Sequence, residues 1–311
     1  MGEFDLIARH LAPLAGPGAR GLTDDVASHA GQVVTKDILV EGVHFLATDP
    51  IDLVARKALR VNLSDVIAKG AQPTAYMLGM VWPKGTPEAT FAAFAGGLKD
   101  EQGLSGITLL GGDTTASPTM MISVTMFGVP GPRGIIGRDG AEPGDALMVT
   151  GTIGDGWLGL EAAKKAPPAS DAASLPYRLP AIPLGAHEVI AQYAKGSLDV
   201  SDGLIADAGH LATTSGVTID INASAVPLSP LGTQMRAEGR LVDLVAGGDD
   251  YQALFTIDPA DIDHVLAQTP PGVRVTRIGT VTGREQAGCV RLLGADGKEI
   301  PIKQAGWDHF R

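Results

Sequence analysis

Strands alternating with helices along 311 residues, a Pro/Gly-rich break near the middle, and aspartates gathered at strand ends predict a two-domain α/β (α+β) protein. A hydrophobic content of 44% with mean hydropathy +0.14 is ample for a core in each half. The break begins at Pro130-Gly131-Pro132-Arg133-Gly134, and the domains are expected to span 1–137 and 138–311. A formal charge of −11 and a pI near 5.0 exclude a nucleic-acid or anionic-membrane surface, both of which need clustered Lys and Arg. Excess carboxylate suits metal ions instead. Met1-Gly2-Glu3-Phe4-Asp5-Leu6 lacks the basic start of a signal peptide, and nowhere do 18 apolar residues run together, so a cytoplasmic chain is expected. The one cysteine, Cys289, allows no internal disulfide and no thiolate metal cluster.

Glu3 to Leu14 has helical periodicity and ends in a loop, 15–21, with a literal G-x-G-x-x-G; no strand precedes it, so a dinucleotide site fails there. Asp24-Asp25 follows as an acidic turn, and such pairs ordinarily belong to surface turns. Val33–Val40 reads as a strand running into Glu41-Gly42-Val43-His44-Phe45, where a lone histidine is ordinarily structural. A helix opens at Pro50 with Asp49 as its N-cap and stops at Gly70 and Pro73. Asp65 shares a face of that helix with Val54, Ala58 and Val61. An unpaired buried carboxylate is costly, so Asp65 must be protonated, salt-bridged or bound to a cation, the plainer reading being a core acid paired to an Arg or a backbone amide. Thr74–Trp82 is strand-like, and Thr86-Pro87-Glu88 opens a helix to about Gly103. The strand Ile107–Leu110 delivers Gly111-Gly112-Asp113-Thr114-Thr115, which is either a tight turn or a backbone approach to phosphate. Thr119–Val129 is a further strand.

The second half opens with strand Asp145–Thr150 and then Gly154-x-Gly156-x-x-Gly159, placed between a strand and a helix over Trp157–Lys165. No apolar strand follows to complete a dinucleotide-binding unit, and the Ala/Pro-rich stretch from Ala166 to Pro183 is expected to be a surface loop. Ser197-Leu198-Asp199-Val200-Ser201-Asp202-Gly203 is a strand end turning into a helix, and Gly247-Gly248-Asp249-Asp250 precedes the strand Gln252–Ile257. No P-loop, kinase catalytic loop, nucleophile elbow or H-E-x-x-H occurs. What recurs is the Asp-bearing turn, at Asp25, Asp37, Asp113, Asp199/Asp202 and Asp249/Asp250, together with Asp65. Hard carboxylate oxygens without His or Cys favour Mg²⁺, which bridges protein acids to substrate phosphates.

The ordered set GEFDLIARHL, the DD turn, TKDILVEGVHF, ARKALRVNLSDVIAKGAQP, LLGGDTT, GDALMVTGTIGD, LDVSDGLIADAGHL, GGDDY and WDHF resembles the thiamine-monophosphate kinase family, in the superfamily of aminoimidazole ribonucleotide synthetase. The resemblance covers nearly the whole chain. It implies an N-terminal mixed sheet that pairs across a homodimer and an α/β C-terminal domain that closes over the nucleotide. It implies transfer of the γ-phosphoryl group of ATP to thiamine monophosphate with several Mg²⁺ ions. The positions matching metal ligands are Asp25, Thr35, Lys36, Asp37, Asp65, Asp113, Asp199 and Asp202. Gly112, Asp113, Arg138 and Ser201 match nucleotide contacts, and Asp65, Asp113, Asp202 and Arg138 match the groups at the reacting phosphates. His44, Asp249 and Trp307 match positions near the substrate.

Four departures from the family pattern stand out: Gly21-Leu22-Thr23 for Gly-Ile-Gly, Asp249 for Glu, Lys36 for a hydroxyl residue, and Leu179-Pro180-Ala181-Ile182-Pro183 without the arginines of Arg-Pro-x-Pro-Arg. An ammonium cannot ligate Mg²⁺, but strand alternation turns Lys36 away from the face that carries Asp37, leaving only its carbonyl as a ligand.

Overall fold

The computed structural model describes residues 3–165, 171–302 and 306. In the first half come α1 (Glu3–Leu6), β1 (Ala27–His29), β2 (Gln32–Val40), α2 (Ile51–Ala68), β3 (Ala71–Trp82), α3 (Glu88–Ser105), β4 (Thr108–Ala116) and β5 (Met121–Pro130). The second half runs β6 (Ala146–Thr150), α4 (Asp155–Ala163), α5 (Asp171–Arg178), α6 (His187–Tyr193), β7 (Ser197–Val200), α7 (Leu204–Ser215) and β8 (Val217–Asn222). It closes with α8 (Pro230–Ala237), α9 (Leu241–Ala246), β9 (Gln252–Ile257), α10 (Ile262–Gln268), β10 (Val275–Arg284) and β11 (Cys289–Leu293). Among these helices none is long and apolar enough to cross a membrane.

Each half builds one mixed sheet. The first has the order β1-β2-β5-β3-β4, antiparallel except for β3 and β4, whose parallel pairing needs the crossover that α3 provides. The second has the order β11-β8-β10-β6-β9-β7, with β11 parallel to β8. Alternation along β9 sends Ala253, Phe255 and Ile257 to one core and Leu254 to the other, so this sheet is covered on both faces.

Helix α2 lies between the two sheets. Thirteen of its eighteen residues are buried, too many for a helix with one wet face, because it packs on β2, β3 and β5 of one sheet and on β7 and β9 of the other. Complete burial of Leu59, Leu63, Val66 and Ile67 contributes about 1.5–3 kcal/mol each relative to exposure. The same position buries Lys57, Asn62, Ser64, Asp65 and Lys69, which must find partners. The expected Asp49 cap does not form: Asp49 accepts from Leu46 N at 2.8 Å and from Arg178 Nε at 2.7 Å, and Pro50 occupies the cap position. An ion pair to a distant arginine outcompetes the local turn.

The expected loop at Ala166–Pro183 contains α5 instead. Tertiary packing overrides the Ala/Pro composition there: α5 lies against α4, Tyr177 is buried, and Arg178 is the partner of Asp49. Gly111-Gly112-Asp113 does not form a turn at a strand end; all three continue β4 in register with Met77, Leu78 and Gly79 of β3. Parallel pairing supplies their hydrogen-bond partners, and Gly112 runs so close to Leu78 O that a β-carbon would lie 1.7 Å from it.

Gly70 ends α2 with φ +66°, and a β-carbon there would meet Ala191 Cα and N of α6 at 2.8 Å. Both backbone strain and a clash with main chain therefore oppose any side chain. Gly70→Ala is expected to cost more than ~1 kcal/mol and to lower Tm by about 2 °C or more in thermal unfolding; an unchanged Tm would contradict this packing.

Candidate active site

One turn of α2 gathers acids from both sheets. Asp65 points to β2, where Thr35 Oγ1 donates to its Oδ2 at 2.6 Å and also to the Asp25 carbonyl at 3.1 Å. Ser64, one residue earlier, donates to Asp199 Oδ2 at 2.5 Å, at the end of β7. Asn62 accepts from the backbone N–H of Asp37 at 3.2 Å, while its amide nitrogen returns to Ala58 O at 3.0 Å, so the strand cannot slide along the helix. As a result Asp25, Asp65 and Asp199 each bring a carboxylate oxygen within 4.8 Å of the other two, and Asp37 hydrogen-bonds Asp65.

The electrostatics divide this group in two. Asp24 and Asp25 are paired: Lys69 Nζ lies 2.7 Å from Asp24 and also contacts Asp25, Arg138 contacts Asp25, and Arg20 Nε is 2.8 Å from Asp24. Burial works to raise the Asp25 carboxyl, yet the Arg138 and Lys69 charges overcome it and hold the group well below the usual range. Lys69 is itself fully buried and donates to Ser197 O at 2.5 Å. Asp65 and Asp199 have no Lys or Arg at ion-pairing distance among the described residues. Burial, then repulsion from Asp199, Asp37 and Asp25, pushes Asp65 well above the ordinary range. Burial and the Asp25 charge push Asp199 up to about 7, and burial with the same charge pushes Asp37 up to about 6. Four carboxylates this close cannot all stay ionised without a cation. The donor set is all oxygen, which fits Mg²⁺ rather than a softer metal.

A cavity of 780 Å³ opens above these acids between the two halves of the chain. Asp37, Asp65, Asp199, Ser201 and Asp202 line its floor, His44 and Asp249 one side, and Trp157, Leu160 and Val242 a more apolar wall. His44 Nδ1 accepts from Val40 N at 3.0 Å, which fixes the ring at the end of β2. Asp249 has φ +70° and is held by Lys57 Nζ at 2.8 Å and by the Tyr251 hydroxyl at 2.9 Å. Lys57 also donates to His44 O at 3.1 Å and sits 4.0 Å over the Tyr177 ring, so a buried lysine of α2 joins His44 to Asp249. Behind them, Asp250 accepts from the N–H groups of Gly154 at 2.7 Å and Gly156 at 3.0 Å; burial pushes its carboxyl up to about 8. Gly156 abuts Asp249 O, where a β-carbon would lie at 2.2 Å, so its glycine serves close packing of turn and helix.

Of the residues expected from sequence, the structure brings together Asp25, Thr35, Asp37, Asp65, Asp199, Ser201 and Asp202, with His44 and Asp249 beside them. Lys36 points to the opposite face of β2, where its ammonium donates to Ser123 Oγ. Arg138 is committed to Asp25 rather than reaching into the cavity. Gly112 and Asp113 stand apart: Asp37, Val124, Leu78 and Gly112 are in register across β2-β5-β3-β4, so β4 lies three strands, about 14 Å, from Asp37. One ion cannot bridge Asp37 and Asp113 of the same chain. Trp307 lies outside the described residues. The sequence reading missed Lys57, Lys69, Asn62, Ser64 and Asp207, and it placed Asp250 in an acidic turn without its partners Gly154 and Gly156. Asp207 accepts from the N–H groups of Asp202 at 3.0 Å and Gly203 at 3.1 Å and so shapes the acidic turn; its place in the first turn after a glycine was the available signal.

The two halves match the AIR synthase related protein family, the N-terminal domain over residues 22–130 and the C-terminal domain over 142–290. Fold and acid-lined cleft thus define a two-domain protein of that class. A thiamine-monophosphate kinase of Caulobacter vibrioides is 42% identical, covering 99% of this chain and 90% of its own length. The solved structure of AaThiL complexed with AMPPCP and TMP superposes with TM-score 0.85 at 33% identity, covering 99% of this chain and 97% of that one. Thiamine monophosphate kinase from Aquifex aeolicus superposes with TM-score 0.82 at 32% identity, covering 96% and 97%. The chain belongs to the thiamine-monophosphate kinase family.

The raised carboxyls fix a pH dependence. Groups whose folded value exceeds the unfolded value of 3.8 bind protons more tightly in the folded, metal-free chain, so stability falls as pH climbs from about 4 through about 7. In EDTA the Tm is expected to fall between about pH 5 and about pH 8, and Asp65→Asn, which removes one of the crowded charges, is expected to flatten that fall. A Tm that rises over this range, or an Asn variant less stable than the parent at the upper end, would contradict the crowding.

Proposed function

We propose that this chain transfers the γ-phosphoryl group of ATP to the phosphate of thiamine monophosphate, giving thiamine diphosphate. The observation that carries the reading is the convergence of Asp25 with Asp65 and Asp199, the latter two lining a cleft, in a chain so similar to AaThiL, whose complex holds AMPPCP and TMP. The acceptor phosphate has its second pKa near ~6, so the attacking oxygen is already largely anionic at neutral pH and no general base is required. That agrees with a site rich in aspartate and without a catalytic triad. Mg²⁺, held by Asp25, Asp37, Asp65, Asp199 and Asp202, would neutralise the repulsion between two phosphate groups and the charge developing between them. The chain's own residues hold that arrangement: Thr35 and Ser64 orient Asp65 and Asp199, Lys69 and Arg138 keep Asp25 ionised, and Lys57 fixes Asp249 at the substrate side.

The chain acts as a homodimer in this reading. All nine residues of edge strand β4 are exposed, including Leu109 at 47% and Leu110 at 65%, which is a costly edge to leave in water. A second copy that covers it would also give Gly112 and Asp113 a way to reach nucleotide, since within one chain they lie too far from the other acids. A cytoplasmic location fits the single cysteine.

Purified protein with ATP and Mg²⁺ is expected to release ADP in step with thiamine diphosphate when given thiamine monophosphate, and not when given thiamine. Asp199→Asn is expected to lower kcat by about 100-fold or more while the chain stays folded. Turnover of thiamine but not of its monophosphate, or an Asn variant with full activity, would overturn the assignment.

A further inference from the structure

We infer that Trp157 is the platform on which the cationic ring of the substrate stacks, in a cavity whose excess charge is carboxylate; this rests on the function proposed above. The floor of the cavity is built for the phosphate end of a ligand, so the remainder of the molecule must lie along the wall. That wall is formed by Trp157, Leu160 and Glu161 of α4 and by Val242, Asp243 and Ala246 of α9. Thiamine monophosphate carries a permanently charged thiazolium and an aminopyrimidine, so its far end is a flat cation with no counter-ion of its own. Indole is the best side-chain face for such a group, worth about 0.5–2 kcal/mol depending on desolvation.

Three observations on Trp157 support the role. Its ring already takes a cation on one face: the Arg240 guanidinium carbon lies 5.4 Å from the ring centroid and is held there by Asp243 Oδ2 at 2.8 Å from Arg240 Nε. Its position is fixed, because Gly247 runs so close that a β-carbon there would lie 2.5 Å from Trp157 Cβ. And it is registered to Asp249, since the Gly247–Asp250 turn that packs on Trp157 also anchors the start of α4 through Asp250. Trp157 on α4 and Asp249 on the turn that packs against it therefore line one cavity. Among the described lining residues the only cation is Lys164, half exposed at the rim and 3.8 Å from Glu161. The wall's own charges balance, Asp243 against Arg240 and Glu161 against Lys164, so the excess carboxylate that a cationic ring meets is that of Asp37, Asp65, Asp199 and Asp202 in the same cavity.

The test separates binding of the ring from the phosphoryl step. Trp157→Leu is expected to raise the KM for thiamine monophosphate, and its Kd measured by calorimetry without ATP, at least about fivefold, near 1 kcal/mol. The kcat and the KM for ATP are expected to stay within about twofold, and Trp157→Phe to recover most of the loss. Asp243→Lys, on the exposed rim, is expected to weaken the same Kd at least about fivefold; it decides the matter if the Leu variant does not fold. A wild-type protein that turns over thiamine monophosphate while Trp157→Leu and Asp243→Lys keep the parent Kd would overturn this inference alone. A wild-type protein that does not turn over thiamine monophosphate would overturn the proposed function and this inference with it.

Discussion

The structure depends on a repulsion that the folded chain holds and does not relieve by itself. Asp37, Asp65 and Asp199 are crowded beside an already ionised Asp25, away from water, with two hydroxyls and one another as their nearest partners. Such an arrangement lowers stability, and proteins keep it where binding repays it. A divalent cation would replace the protons that burial and mutual repulsion otherwise force onto these groups. The split leaves one acid that Lys69 and Arg138 keep ionised and others that would bind a divalent ion only by giving up protons.

Helix α2 is the mechanical answer to how two domains share one site. Its burial between the sheets lets Asn62 and Asp65 reach β2 on one side and Ser64 reach β7 on the other within a single turn. The same burial forces Lys57 and Lys69 inside, and both are put to use, one on the Asp249 side of the cavity and one on the Asp24-Asp25 turn. Lys57 joins α2 to Asp249, and Lys69 joins it to Asp24, Asp25 and Ser197, so the site and the domain packing are stabilised by the same contacts.

Much of this was legible in the chain. Helical spacing places Asp65 on an apolar face before any fold is known, a strand-to-helix turn announces Asp199 and Asp202, and a glycine-then-acid turn before a strand announces Asp249. Alternation along β2 puts Lys36 and Asp37 on opposite faces, which is how they lie. Lys57 and Lys69 were not legible, because a lysine on a helix reads as a solvated residue and only partners as distant as Asp249, 192 positions away, justify its burial. The Gly111-Gly112-Asp113 segment looked like a turn because its glycines favour one; strand β3 beside it supplies the pairing that local sequence cannot reveal. Asp49 was assigned to the nearest helix end for want of any sign that Arg178 would take it.

The central claim, that a divalent ion displaces protons from these crowded carboxyls, is tested most directly by titrating Mg²⁺ calorimetrically in two buffers of different ionisation enthalpy. Near pH 6.5 the account predicts that binding releases about one proton or more per chain, that the release shrinks towards pH 9, and that it is smaller in Asp65→Asn. Mg²⁺ binding with no proton release at the lower pH, or no Mg²⁺ binding with and without ATP, would contradict it.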